Sequence, residues 1–115
     1  METDLTIHKI TGDIQFDSLL KSLRLLQDSV TKYVLWDLRE VYNISGTSPE
    51  KIEASSAHIE EMPISPGGKA AFVFASETDY GIGRMFETYA KMKDLSFEIA
   101  MFKSMDSAKT WLDEK

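Results

Sequence analysis

Four carboxylates stand just after apolar runs that read as strands: Asp37 and Glu40 after one, Glu77 and Asp79 after another. Two carboxyl groups whose pKa values are driven apart can divide the acid and base roles of a hydrolysis, and together they can hold a divalent cation. With 19 Asp and Glu among 115 residues, such meetings arise readily by chance. A small carboxylate-based hydrolase is therefore the distant alternative. His8 and His58 stand alone, both are expected at the surface, and no G-x-S-x-G or comparable pattern supplies an activated hydroxyl. The chain has no cysteine, which excludes disulfides and thiolate metal sites. The expectation is a protein that is not an enzyme and carries no metal and no cofactor.

Anion binding is the second chemistry. The turn Ser76-Glu77-Thr78-Asp79-Tyr80-Gly81 follows what reads as a central strand, and open α/β sheets bind ligands at the carboxyl ends of their strands. Free N–H groups at the start of the next helix, with Arg84 one turn in, could hold a carboxylate or phosphate. Asp37, Asp79, Gly81 and Arg84 are the candidates for this polar rim. Two acids at the corner oppose an anion, and Gly81-x-Gly83 lacks the lysine and spacing of a phosphate loop. The plainer reading has Asp79 or Thr78 as helix cap, the glycines allowing close packing, and Arg84 paired with Glu77, Asp79 or Asp37.

The third chemistry is apolar. Trp36, Met62, Tyr80, Met85, Phe86 and Tyr89 are candidates to line a pocket, with methionine suited to an adaptable apolar surface. The same residues would otherwise be core.

These groups must be positioned by the elements around them. Leu5 to Ile10 alternates weakly before Gly12-Asp13 and reads as an edge strand ending in a turn. Phe16, Leu19, Leu20, Leu23 and Leu26 form one helical stripe, with Asp13 or Asp17 as its cap. Tyr33 to Leu38 is a nearly continuous apolar run, as in a strand buried on both faces. After a loop from Tyr42 to Ser48, Ser48 caps and Pro49 opens a second helix running to about Met62. Its stripe of Ile52, Ser56, Ile59 and Met62 is thin, so this helix is expected to be the mobile one, opening the apolar pocket as it moves aside. Pro63 and Ser65-Pro66-Gly67-Gly68 read as a connection, and Ala70 to Ala75 as a second buried strand. Ile82, Met85, Phe86, Tyr89 and Met92 define a third helix, Phe97 to Phe102 a further strand, and Ser104 or Asp106 caps a last helix carrying Ala108, Trp111 and Leu112.

The order is β-α four times in a single domain over residues 1–115. It predicts an α/β fold: a mainly parallel sheet of four to five strands packed with helices through right-handed crossovers, with an antiparallel first strand left open. "DLREV" after an apolar strand, "YGIGRMFE" opening a helix, then a strand and a terminal "AKTWL" together resemble the SpoIIAA-like family, relatives of the STAS anti-sigma-factor-antagonist domains. The resemblance covers nearly the whole chain and implies a small STAS-like α/β domain without cofactor or catalysis. Such a domain regulates by binding a partner or holds a small, often apolar, ligand. STAS regulators resemble one another in an Asp-Ser-Ser-Gly stretch whose serine is phosphorylated at a helix start. Here Ser45 stands at the aspartate position and Gly46 at the phosphoserine, leaving Thr47 and Ser48 as phosphosite candidates. A phosphorylation-gated interaction switch is thus the alternative to a ligand-binding or partner-binding regulatory domain.

Composition narrows the partners. A net charge of −6 with 13 scattered Lys and Arg argues against a nucleic-acid surface. The densest basic grouping, Lys91 and Lys93 after Arg84, is interrupted by acids and reads as a solvated helix face. No segment has the roughly 18 apolar residues of a transmembrane span, though peripheral membrane contact remains compatible. METDLTIHKI lacks the features of a secretory signal, so the cytoplasm is the expected location. Unpaired edge strands leave room for a homodimer.

Overall fold

A computed structural model describes residues 5–26, 30–44 and 46–114. Ser45 and the side chains of Asp17 and Leu26 lie outside the described residues, and with them the aspartate-position serine, one cap candidate and the end of the first helical stripe. The elements are β1 (Leu5–Asp13), α1 (Phe16–Leu26), β2 (Thr31–Tyr42), α2 (Pro49–Ser55) with a 3-10 segment (Ser56–Glu61), β3 (Ile64–Val73), α3 (Glu77–Lys91), β4 (Glu98–Phe102) and α4 (Met105–Asp113).

The four strands stand in the order β1-β2-β3-β4, and every neighbouring pair is parallel. An antiparallel first strand is therefore corrected: Leu5 lies opposite Tyr33 and Lys9 opposite Asp37 in a parallel ladder. The reason is the connection. The 11 residues of α1 carry the chain back along the sheet before β2 begins, whereas an antiparallel neighbour is joined by a hairpin.

Adding each strand on the same side, through crossovers of one hand, places α1, α2 and α3 on one face of the sheet. That face holds the main core. Val34, Trp36, Leu38, Ala70, Phe72, Phe74, Ile99 and Met101 of the strands meet Phe16, Leu19, Leu20, Leu23, Ile52, Ile59, Phe86 and Ala90. After β4 the chain turns to the other face, where Ala108 and Leu112 of α4 pack on Leu35, Ala71 and Val73. β2 is covered on both sides, which explains its unbroken apolar run. Phe86 is the centre of the larger core, edge-on to Phe16 at 5.2 Å and to Phe72 at 6.3 Å between ring centroids. A Cβ on Gly83 would stand 2.5 Å from Cε2 of Phe74, so glycine lets α3 sit this close to β3.

Several boundaries differ from the sequence expectations. Asp13 is the last residue of β1 and does not cap α1. β3 starts at Ile64, before the Ser-Pro-Gly-Gly stretch. The register jumps from Thr31 opposite Ile64 to Tyr33 opposite Lys69, and Gly67, with φ of +82°, absorbs part of the excess chain. Helix two does not run as one α-helix to Met62. It tightens into 3-10 form at Ser56, where buried Ser55 and Ser56 donate their hydroxyls to the carbonyls of Lys51 (2.8 Å) and Glu53 (2.6 Å).

Candidate functional site

The corner after β3 is built by two helix starts. Ser76 caps α3 by accepting from the Asp79 N–H at 3.1 Å, and Ser104 caps α4 by accepting from Ser107 at 3.1 Å. The cap of α3 is thus Ser76; Thr78 and Asp79 lie inside the helix, because the backbone is already helical at Glu77. β3 and β4 are neighbours whose following helices pack on opposite faces, so the two helix starts stand side by side at the carboxyl ends of these strands. Lys103 bridges them. Its ammonium donates to Glu77 at 2.6 Å and lies 5.3 Å from the centre of the Tyr80 ring.

Arg84 does not pair with Glu77, Asp79 or Asp37. It donates to the Tyr80 hydroxyl at 3.1 Å and pairs with Glu87 at 3.1 Å, three residues on along α3. Glu87 is buried and also holds Lys91 at 2.6 Å. The two cations of the corner are thus paired: Lys103 with Glu77, and Arg84 with Glu87. Gly81 has open space around it, so of the two glycines only Gly83 serves packing.

Asp37 stands apart from this corner. It alternates with Tyr33 and Leu35 towards the α4 face of the sheet, whereas Arg84 belongs to α3 on the opposite face. Arg39 donates to it as a fork, Nε at 2.8 Å and a terminal nitrogen at 3.0 Å, and the Arg39 backbone N–H adds a third bond at 3.2 Å. The Arg39 side-chain bonds above all hold the Asp37 carboxyl below its ordinary range, against burial, which pulls the other way. Glu40 pairs with Lys9 at 2.7 Å. Asp37, Glu40 and Glu77 are each held by a separate cation, and among the described residues no three His, Cys, Asp or Glu gather as a metal site would require. His8 is not a plain surface residue: half-buried on β1, its ring stacks on Trp36 at 4.3 Å and 15°.

The six apolar candidates divide by depth. Trp36 and Phe86 are fully enclosed and Met62 is buried, so all three belong to the core. Tyr80 belongs to the polar corner, and Met85 is exposed on the outer side of α3. Tyr89 lines an open groove. The groove, about 370 Å³, runs between α2 with its 3-10 segment and α3, with Glu53, Ala54, Ser56 and Ala57 on one wall and Tyr89, Met92 and Lys93 on the other. Met92 is 78% exposed. Tyr80 and Tyr89 are roughly 13 Å apart along α3 at 1.5 Å per residue, so strand-end corner and helix groove are two places.

In the loop after β2, Ser48 accepts from the Lys51 N–H at 3.3 Å as the cap of α2, and the Thr47 hydroxyl is buried. Neither side chain is presented as a free surface hydroxyl. Sequence reasoning missed Lys103, which only strand neighbourhood brings to Glu77, and Ala54 and Ala57, whose small size hollows the groove. It also missed Glu87, whose burial no local pattern signals. Comparison of the chain with protein-family models, with curated proteins and with solved structures finds no match.

Proposed function

We propose that this chain is a non-catalytic binding domain of the SpoIIAA-like, STAS-like kind, and that it takes a small apolar ligand, or the apolar side chain of a regulatory partner, between α2 and α3. The observation that carries this reading is the open groove beside a weakly anchored wall. Tyr89 and Met92 offer apolar surface to it, while the facing wall is Glu53, Ala54, Ser56 and Ala57 on a helical segment that buries two serines beside Ile52 and Ile59, where α1 buries Phe16, Leu19, Leu20 and Leu23. A hydroxyl bonded to its own helix adds little to the hydrophobic anchoring of that helix. Phe86 and Met62 lie in the core that this wall covers, so an outward movement of the wall would lengthen the groove into that core.

The test uses a panel of long-chain fatty acids and an environment-sensitive apolar dye. Dye fluorescence and melting temperature are expected to rise with the wild-type protein. The exposed Ala57→Trp change, which fills the groove from one wall, is expected to abolish both responses with the unliganded melting temperature unchanged. Absence of both responses in the wild type, or their survival in Ala57→Trp, counts against the reading.

A further inference from the structure

α2 has a second groove on its other flank, of opposite character. Ser18 and Lys21 of α1 face Lys51, Ala54, Ser55 and His58 across a depression of about 350 Å³. Positions 51, 54, 55 and 58 follow helical spacing, so one face of the α2 segment is turned to α1. In a chain of net charge −6, this groove is lined by two lysines and a histidine and, among the described residues, by no carboxylate. Both lysines are exposed, and neither has an ion-pair partner among the described residues, a condition shared by Lys32, Lys69 and Lys109 elsewhere, whereas only Lys21 and Lys51 face each other across a groove.

Arg24, one turn beyond Lys21 on α1, is neutralised by Glu61 at the end of the 3-10 segment. Lys21 and Lys51 are therefore the two cations of this groove, each without an ion-pair partner among the described residues, and they stand on opposite walls. The local field is felt by His58: burial first, then Arg24 and Lys21, hold its imidazole below the ordinary pKa. A neutral imidazole still offers one N–H donor, and the exposed Ser18 hydroxyl can donate as well.

We propose that the groove between α1 and α2 is a binding site for a phosphate-bearing dianion, held between Lys21 and Lys51 with His58 as a third donor. A tetrahedral dianion suits this arrangement better than a carboxylate, because donors approach from two walls and two uncompensated charges need neutralising. The same headgroup chemistry is presented by a soluble phosphomonoester and by a phosphatidic acid surface. The site shares Ala54 with the groove towards α3, but its charged residues Lys21, Lys51 and His58 do not line that groove.

The experiment follows the imidazole resonances of His58 and His8 by NMR across a pH titration. It is run without ligand, with inorganic phosphate, with glycerol phosphate, and beside sedimentation with phosphatidylcholine vesicles with and without phosphatidic acid. Bound dianion favours the imidazolium, so the His58 pKa is expected to rise while that of His8, stacked on Trp36, stays put. Lys21→Gln with Lys51→Gln is expected to weaken binding by roughly tenfold or more, and Lys109→Gln, an exposed lysine on α4, to leave it unchanged. Response to both phosphate compounds identifies a soluble ester. Sedimentation with phosphatidic acid vesicles and a weak response to free phosphate identify a lipid headgroup. A His58 titration unmoved by every phosphate source, or one moved equally in the double variant, overturns the proposal.

Discussion

α2 and α3 pack on the same face of the same sheet, yet they are held there in different ways. α3 runs 15 residues without a break, sets Gly83 against Phe74 and drives Phe86 between Phe16 and Phe72. α2 makes only seven α-helical residues before tightening to 3-10 form, and its buried face is Ile52, two serines and Ile59. Both helices begin on a serine cap, so the difference lies in what each buries. The contrast is the basis of the proposal that α3 is a rigid wall and α2 a yielding one around the same space. Regions with few buried apolar contacts open at lower free energy than the rest of a fold, and binding surfaces are drawn from them.

The contrast can be broken most severely at Phe86. Phe86→Ala removes a fully enclosed ring and is expected to cost about 3–5 kcal/mol, read as a loss of global stability in denaturant titration. An effect confined to one helix would mean that α3 is not the rigid wall.

Removing the caps sharpens the comparison. Ser48→Ala and Ser76→Ala each delete one bond to a helix N–H and are expected to cost about 1 kcal/mol. Their consequences should differ in kind. Without Ser48, amides of residues 50–61 exchange faster while the global midpoint moves less than in Ser76→Ala, whose loss is expected to appear in the global midpoint. Equal global shifts from both variants would place the two helices in one cooperative unit.

The smallest expected effect is a pH dependence on the weak wall. His58 has a folded pKa below its unfolded value of about 6.5, so its contribution is fully present above that pH. As pH falls through the folded pKa the unfolded chain binds the proton more readily, and stability declines. His58→Gln should flatten the stability profile in that acidic window. A wild-type profile whose His58-dependent part rises on acidification would contradict the assigned direction.

Much of this contrast was legible in the residues. The thin stripe of Ile52, Ser56, Ile59 and Met62 already marked α2 as the weakly packed helix, and the four β-α units with Ser48, Pro49 and Ser104 at helix starts follow from local pattern alone. The direction of β1 did not, because an isolated alternating strand carries no record of its neighbour. Nor did the break at Ser56, where two hydroxyls compete for backbone carbonyls. Placement of the candidate residues was less legible. Tyr89 was named for an apolar wall and lines a groove of mixed polar and apolar residues, whereas Trp36 and Phe86, named with it, face inward. Arg84 was expected to meet an acid of its turn and met Glu87, and Lys21 and Lys51 lie 30 positions apart with nothing local to join them. Charge pairing across elements depends on which strands become neighbours, a fact that no window of sequence contains.

The central claim is that α2 with its 3-10 segment opens without the rest of the fold and so admits a ligand beside α3. Native-state hydrogen exchange at low denaturant tests it most directly. The account predicts that amides from Ile52 to Met62 exchange through an opening clearly cheaper than global unfolding, and that those around Phe86 and Ala90 exchange only with global unfolding. Exchange of both segments at one common free energy would contradict it.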